Sequence, residues 1–434
     1  MGNIYLETLG CNKNQVDSEK ILYVLETAGY NIVGNPEIAD IIIVNTCAFI
    51  KSAKEEAIEV TLDLLKYKES GRCKKIAVAG CLAQRYKDEL IKEIPEIDLI
   101  FGVGDVSTIA AALSSPEKVS IPPFSNSFTI GRKNLSYPGS AYLKISDGCS
   151  NRCSYCSIPI IRGDLRSTDM DFLLEELKFL QKENLNELIL ISQDTSNYGK
   201  DVYKQSKLGD LTKELSKFLK PTDWLRVLYL HPDHIDVELL NKLKDTPNFI
   251  PYFDIPFQSG SNTILKKMNR KKTSEQYLTL IENIRKVFDN PVIRSTFIVG
   301  FPGESESDFN DTINFIKQIE IDWIGGFAYS KEEDTPAGAM KNQIKSKVKT
   351  ERLDQLLSVS EEISQNKLKR FIGTNQKILV EEKVENEDLY IGRFWGQAPD
   401  VDGLVVIESD SAQIGEFCAC KIIKLNGNDF FCIT

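Results

Sequence analysis

The feature that most constrains this chain is a CxxxCxxC loop formed by Cys149, Cys153 and Cys156. Three thiolates within eight residues can bind one small Fe–S cluster from a single loop. A four-iron cluster usually takes four cysteines, so three leave one iron open for a small-molecule ligand. The alternatives are three unrelated buried thiols or a zinc site. Zinc would need a fourth nearby ligand, and the only histidines, His231 and His234, lie far along the chain.

Length and composition indicate a globular protein of two to three domains. The chain has 434 residues, 42% of them hydrophobic and 27% charged. No segment approaches the ~20 apolar residues of a membrane span, and the first six residues do not form a secretion signal, so we expect a cytoplasmic protein. Ten cysteines in such a chain favour metal or redox chemistry over a disulfide framework. The net charge of −10 fits a basic protein partner better than a wide phosphate-binding surface.

The first ~115 residues alternate apolar strands with helical patterns, which predicts a doubly wound parallel sheet. The expected strands are Ile4–Leu9, 41–45 and 75–79. Helices are expected at 17–28, through Lys68, and near 86–94.

Three cysteines follow these strands at equivalent positions. Cys11, Cys47 and Cys81 each lie one to three residues beyond the carboxyl end of a strand. Those ends meet at one edge of a parallel sheet, where ligands bind, so the three thiols can converge on a second cluster. Cys73 precedes its strand and is excluded. The alternative is that small, buryable cysteines fill these turns by chance.

The remaining chain is divided into a linker, a second strand–helix series and a terminal β-domain. The expected boundaries are 1–118, linker 119–138, 139–372 and 373–434. Six strands, at 142–146, 187–192, 225–230, 252–256, 292–299 and 324–329, predict a partial or complete parallel barrel with the CxxxCxxC loop on its active face. A helix is expected at 345–370. Five short strands, at 376–382, 390–393, 404–407, 416–425 and 430–433, predict a small all-β barrel.

Together these pieces resemble the radical S-adenosylmethionine (SAM) methylthiotransferases, and the terminal domain resembles the TRAM module. The sequence segments that carry this resemblance are Thr8–Asn14, Val44–Phe49, Val78–Leu82, Asp147–Pro159, Arg162–Gly163 and Phe297–Glu304. Within that family, the segments 11–18, 158–163, 192–195 and 398–403 resemble the RimO branch, whose members modify an aspartate of small-subunit ribosomal protein S-twelve. The terminal domain also carries many acidic residues, which suits a basic ribosomal protein. They are Glu381, Glu382, Glu385, Glu387, Asp388, Asp400, Asp402, Glu408 and Asp410.

The resemblance implies two 4Fe–4S clusters, two molecules of SAM and a 3-methylthioaspartate product. The cluster on the CxxxCxxC loop would bind SAM, and the cluster on Cys11, Cys47 and Cys81 would carry the transferred sulfur. The implied partners are ribosomal protein S-twelve, free or on the small subunit, and an electron donor such as flavodoxin or ferredoxin. We expect a monomer.

The remaining candidate site residues are identified only by their position in the chain. Cofactor contacts are expected from Tyr155, Ser192, Gln193, Asp194, Gln258 and Arg294. For those at barrel strand ends, the alternative is an ordinary loop or a salt-bridged residue. His231 and His234 are interpreted as barrel-loop residues, because a catalytic zinc needs three protein ligands. Cys418, Cys420 and Cys432 are expected to pack within the terminal domain.

Two alternative functions stay open at this point. The first is the same chemistry at the 2-position of a tRNA adenosine, which the acidic terminal domain disfavours and a salt-sensitive tRNA affinity would favour. The second is a non-enzymatic Fe–S electron carrier or ribosome assembly factor. An electron carrier should coordinate every iron fully, so two three-cysteine sets disfavour it, and SAM cleavage would separate the two classes.

Overall fold

The computed structural model describes residues 2–124 and 129–434, which form two compact units. The first unit comprises residues up to Leu135, Leu143–Leu180 and Ser330–Gly338. The second comprises Ser136–Tyr142, Gln181–Tyr329 and Ala339–Thr434. Part of the expected linker, residues 125–128, lies outside the described residues. Within the described part of the chain, no helix has both the length and the apolar character needed to cross a membrane.

The first unit contains a six-stranded parallel sheet. Its strands are β1 (Asn3–Thr8), β2 (Asn31–Ile32), β3 (Ile41–Thr46), β4 (Lys75–Gly80), β5 (Leu99–Phe101) and β6 (Val119–Ser120). Their order is β2–β1–β3–β4–β5–β6. The three predicted strands are β1, β3 and β4, which lie side by side. Residues 42–44 of β3 are fully buried because helices cover both faces of the sheet.

Helices of the first unit begin close to the candidate cysteines. They are α1 (Asn12–Thr27), α2 (Lys51–Ser70), α3 (Cys81–Arg85), α4 (Lys87–Glu93) and α5 (Ile109–Ser114). Helix α1 begins directly after Cys11, whose extended backbone makes it the N-cap residue, rather than at the predicted Asp17. The helix predicted near 86–94 is confirmed as α4, whereas the short helix α3, which begins at Cys81 and ends before Tyr86, was not predicted. Cys11 and Cys81 therefore lie at helix N-termini, which favour negative charge.

Strand β7 (Ser140–Lys144) leads to the CxxxCxxC loop. A short antiparallel pair, β8 (Ser146–Asp147) and β9 (Arg166–Ser167), flanks that loop. Helices α6 (Ile158–Arg162) and α7 (Met170–Leu180) follow within the first unit.

The second unit contains the other predicted barrel strands. They are β10 (Glu187–Ile191), β11 (Trp224–Val227), β12 (Tyr252–Asp254), β13 (Val292–Val299) and β14 (Trp323–Ala328). The strand orders are β11–β10–β7 and β12–β13–β14, and β11 is linked to Phe249 by an isolated parallel bridge. The helices are α8 (Lys200–Tyr203), α9 (Leu208–Ser216), α10 (Val237–Lys244), α11 (Asn262–Lys267), α12 (Ser274–Val287), α13 (Glu306–Ile319) and α14 (Ser346–Leu368). The six strands thus form a partial barrel.

The predicted five-stranded terminal barrel is confirmed. Its strands are β15 (Asn375–Lys383), β16 (Leu389–Phe394), β17 (Val405–Glu408), β18 (Phe417–Asn426) and β19 (Asp429–Ile433). They close in the order β15–β16–β17–β19–β18. Phe371, Phe394 and Phe430 pack edge to face in its core, with ring centroids 4.8–6.2 Å apart.

Candidate functional site

The turns bearing Cys11, Cys47 and Cys81 lie at one edge of the sheet, as predicted. Thr8 is paired with Asn45, and Thr46 with Gly80, so the three strands end at the same level. A Cβ added to Gly10 would lie 2.6 Å from the Cβ of Cys47, so only glycine permits this approach of the first two turns. Cys73 lies before β4, where its thiol donates to the Lys75 carbonyl at 3.2 Å. This position, before the strand rather than after it, agrees with the exclusion of Cys73 from the second set of cluster ligands.

Asn14 connects all three cysteine turns, a role that the sequence did not reveal. Its side-chain amide donates to the Leu9 carbonyl at 3.1 Å and to the Thr46 carbonyl at 2.8 Å. Its Oδ1 accepts from the Cys81 thiol at 3.6 Å. Asn14 is fully buried. One side chain therefore fixes the turn before Cys11, the turn before Cys47 and the Cys81 sulfur.

The three thiols differ in their environment. Cys11 is exposed, whereas Cys47 and Cys81 are buried. Desolvation opposes ionisation of Cys11, but the charges of Lys13 and Arg162 outweigh it and lower the pKa of this thiol. Burial raises the pKa of Cys47, and it raises that of Cys81 to about 12 despite the opposing charge of Arg162. Metal binding here must therefore release protons from two buried thiols.

The CxxxCxxC loop is folded against the chain that follows it. Gly148 has φ +73°, and a Cβ there would lie 2.2 Å from the Asp164 carbonyl oxygen. The Cys149 amide donates to the Gly163 carbonyl at 3.0 Å, and the Cys156 amide donates to the Cys153 carbonyl at 3.1 Å. All three cysteines are half-buried, as is Tyr155 just before the last of them. The loop therefore presents its thiols from a fixed backbone.

Both cysteine sets belong to the first unit, where direct contacts join them. The Ser157 hydroxyl, one residue after Cys156, donates to the Phe49 carbonyl at 3.4 Å. Arg162 donates to the Cys81 sulfur at 3.5 Å. The Ala337 amide, from the third segment of the unit, donates to the Ser154 carbonyl at 2.8 Å. The two sets are therefore held in one framework.

A third-segment glutamate strengthens this framework. Glu332 is buried and accepts from Lys54 at 2.8 Å and from Arg85 at 3.0 Å. Lys54 belongs to α2, and Arg85 ends the helix that begins at Cys81. Because a buried carboxylate needs such partners, the segment is fixed against the elements that follow two of the cysteine turns.

The donor sets fit clusters better than single ions. Each set offers three cysteine thiols, which are the protein ligands of a four-iron cluster with one iron open to another ligand, whereas a structural zinc ion takes four protein ligands. Arg162 beside Cys81, and Lys13 near Cys11, supply the positive charge that an anionic cluster favours.

Except for Tyr155, which belongs to the first unit, the candidate SAM contacts lie in the second unit, and their environments differ. Ser192 follows β10, and its buried hydroxyl has no hydrogen-bond partner among the described residues, which leaves it available to a ligand. Gln193 beside it is half-buried. Asp194 already accepts from Ser196 at 2.5 Å and Asn197 at 2.8 Å. Gln258 is buried with φ +73°, an unusual backbone for glutamine.

Arg294 does not lie where the sequence placed it. It was expected near the carboxyl end of its strand, but it is the third residue of β13. Its guanidinium donates to Asp254 and to Asp402, each at 3.3 Å. Arg294 is therefore a salt-bridged residue, which was the alternative to a SAM contact.

The structure brings a third metal-ligating residue to the two histidines, which the sequence did not predict. Ligand atoms of Asp194, His231 and His234 all lie within 4.8 Å of one another. However, Arg270 donates to His231 Nε2 at 2.7 Å, because a guanidinium has no acceptor. Burial and the Arg270 charge also hold the pKa of His231 well below its usual value. A guanidinium in this position disfavours a second cation, so we retain the barrel-loop interpretation.

Cys418 and Cys420 lie on one face of β18, and Cys432 lies on the neighbouring strand β19. Cys418 and Cys420 have sulfurs 3.5 Å apart, and Cys420 and Cys432 are buried in the barrel. Two acidic residues expected at the surface of this domain are buried instead. Glu381 pairs with Arg393, and Asp402 accepts from Arg294.

Comparison with known proteins agrees with this architecture. Residues 3–102 match the profile of the Uncharacterized protein family UPF0004, residues 143–316 that of the Radical SAM superfamily, and residues 372–433 that of the TRAM domain. Among solved structures, the radical S-adenosylmethionine methyltransferase TsrM from Kitasatospora setae has a TM-score of 0.57 at 13% identity, covering 77% of this chain and 76% of its own. The cobalamin-dependent radical enzyme OxsB has a TM-score of 0.54 at 13% identity, covering 84% and 56%. These two likenesses concern the fold alone.

Curated relatives are much closer in sequence. The protein named ribosomal protein uS12 methylthiotransferase RimO from Clostridioides difficile is 42% identical over 429 residues, covering 97% of this chain and 96% of the relative. Proteins of the same name from Desulfitobacterium hafniense and Carboxydothermus hydrogenoformans are 40% and 43% identical, covering 97% and 94% of this chain and 96% and 93% of theirs. The chain therefore belongs to the family of ribosomal protein uS12 methylthiotransferases named RimO.

Proposed function

We propose that this protein is a radical SAM methylthiotransferase that converts an aspartate of ribosomal protein uS12 to 3-methylthioaspartate. The observation that carries the proposal is the presence of two separate three-cysteine sets within one compact unit. Each set can hold a 4Fe–4S cluster with one iron open to another ligand. The membership in the RimO family supplies the substrate class.

Cys149, Cys153 and Cys156 would hold the cluster that binds SAM. When bound, this cluster and SAM supply the radical needed to break an unactivated C–H bond, which acid–base chemistry at ordinary pKa values cannot do. The protein contributes placement, through the fixed loop backbone around Gly148 and the Ala337–Ser154 hydrogen bond. We assign Tyr155, Ser192, Gln193, Asp194 and Gln258 as candidate SAM contacts.

Cys11, Cys47 and Cys81 would hold the cluster that carries the transferred sulfur, with methylation by a second SAM. Asn14 holds the three turns in register. The exposure of Cys11 beside two buried cysteines leaves this edge of the sheet accessible to a substrate side chain.

Acidic charge in the terminal domain supports a basic protein substrate rather than RNA. Six of its acidic residues are exposed and lie on or next to β15, β16 and β17. They are Glu382, Glu385, Glu387, Asp388, Glu408 and Asp410. Such a surface attracts the basic side chains of a ribosomal protein and repels phosphates.

We also propose the domain division 1–118, 139–372 and 373–434, a cytoplasmic location, a monomeric state and a flavodoxin or ferredoxin as electron donor. The absence of a membrane-spanning helix among residues 2–124 and 129–434 is compatible with this location.

The test is anaerobic reconstitution followed by mass spectrometry. The protein is incubated with SAM, dithionite and sulfide, and with either a peptide from the target loop of uS12 or an anticodon stem-loop RNA. We expect one methylthio group on the peptide aspartate, lost in Cys11→Ala and in Cys153→Ala. Cys73→Ala is the matched control, because Cys73 is a buried cysteine of the same unit at the opposite edge of the sheet.

Two outcomes would contradict the proposal. If only the RNA gains mass, the chemistry is right and the substrate is wrong. If neither gains mass and SAM stays intact, the protein is not this enzyme.

A further inference from the structure

Arg162 contacts the cysteine set of the sheet edge although it follows the CxxxCxxC loop in sequence. It is the last residue of α6, six positions after Cys156, and its side chain is 2% exposed. Its Nη2 donates to the Cys81 sulfur at 3.5 Å and to Asn14 Oδ1 at 2.7 Å. It therefore contacts both a candidate cluster ligand and the residue that aligns the three turns.

The same guanidinium contacts the start of the other cysteine loop. Its Nη1 lies 3.2 and 3.1 Å from the two carboxylate oxygens of Asp147. Asp147 in turn accepts from the Gly148 amide at 2.9 Å, and the Gly163 carbonyl, next to Arg162, accepts from the Cys149 amide at 3.0 Å. A single residue and its neighbour thus bridge Cys81 and Cys149.

The charge of Arg162 is balanced within the first unit. Asp17 accepts from Arg162 at 3.0 Å and forms an ion pair with Lys144, whose Nζ also lies 3.5 Å from Asp147. Arg162 and Lys144 hold the pKa of Asp147 well below its usual value, against the effect of burial. Two cations and two carboxylates thus form a buried set. A lysine in place of Arg162 would keep the charge but lose the planar fork that reaches four partners.

We propose that Arg162 is a positioning residue that fixes the Cys81 ligand relative to the Cys149 loop and donates a hydrogen bond to the Cys81 sulfur, which would ligate the cluster held by Cys11, Cys47 and Cys81. This inference rests on the proposed function, in which that cysteine set holds a cluster. Hydrogen bonds to cluster sulfurs are among the factors that set reduction potential. A donor that carries positive charge stabilises the reduced, more negative cluster, so its removal lowers the potential.

The test uses the full chain with Cys149, Cys153 and Cys156 replaced by alanine, so that one cluster remains. The midpoint potential of that cluster is measured by redox titration monitored by electron paramagnetic resonance, with and without Arg162→Gln. We expect a shift to lower potential, with the cluster still assembled on its three cysteines. Arg162→Lys should give a smaller shift in the same direction.

Arg132→Gln is the matched control in the same background. Arg132 is a fully buried arginine of the same unit, and its carboxylate partners are Glu19 at 2.8 Å and Glu176 at 3.4 Å. We expect it to lower stability without moving the potential. If Arg162→Gln prevents folding or cluster assembly, Arg162→Lys decides the question alone.

An unchanged potential in the assembled Arg162 variants, or an equal shift in Arg132→Gln, overturns the inference. The result is independent of product formation. A shifted potential in the Arg162 variants, together with no methylthio product on uS12 from the wild-type protein, would leave this inference standing and refute the proposed function. Product formation with an unmoved potential would refute only the inference.

Discussion

Replacing Asn14 by alanine should loosen the edge of the sheet that carries three of the cysteines. The substitution removes two hydrogen bonds to backbone carbonyls, at 3.1 and 2.8 Å, and one from Arg162 at 2.7 Å. Neutral hydrogen bonds contribute about 1 kcal/mol each and bonds to charged groups about 1.5–3 kcal/mol. The sum is about 4 kcal/mol, because the partners left behind are buried. Local opening of the turns should become up to about a thousandfold more frequent.

Alkylation of Cys81 in the native apo protein measures this opening. Cys81 is 6% exposed, so the reagent reaches it only when the turn opens. The labelling rate of Cys81, read by mass spectrometry at low reagent concentration, should rise steeply in Asn14→Ala. Asn31→Ala is the control, because within the described part of the chain the Asn31 side chain donates only to Asn3, at 3.0 Å and at an exposed position. A rise of less than threefold in Asn14→Ala would refute the assigned role.

Two further predictions concern a glycine and a buried carboxylate. Gly148→Ala should reduce bound iron by about half, because the added Cβ clashes with the Asp164 carbonyl and disrupts the loop that binds one cluster. The control is Gly427→Ala, which should keep its iron, because Gly427 also has a positive φ of +60° but no atom lies where its Cβ would be. Equal iron contents in the two variants would contradict this prediction. Burial alone would raise the pKa of Glu187, but Arg393 and Arg226 lower it to about 2, from an ordinary 4.5. Unfolding free energy measured in urea should therefore fall by about 3 kcal/mol between pH 4.5 and 2, and Glu187→Gln should flatten that dependence; a profile unchanged by Glu187→Gln would contradict it.

The sequence predicted the fold where apolar runs were long enough to be read. Strand β13 has the predicted bounds, and the five terminal strands differ from expectation by a residue or two. The short strands β2, β5 and β6 were not predicted, because two or three residues carry no usable periodicity.

The site was predictable only in part. Cys11, Cys47 and Cys81 could be grouped, because their distance from strand ends is a local property. The contacts of Asn14 and Arg162 depend on residues up to 148 positions away, and no local pattern encodes such pairs. For the same reason, Asp402 could be counted as acidic but not recognised as buried beside Arg294.

The most direct test of this account is the iron content and electron paramagnetic resonance spectrum of two anaerobically reconstituted triple variants. One lacks Cys11, Cys47 and Cys81, and the other lacks the cysteines of the CxxxCxxC loop. The account predicts that each variant keeps about half of the wild-type iron, with different spectra that sum to that of the wild type. Complete loss of iron in either variant, or no loss in one of them, would contradict two separate clusters.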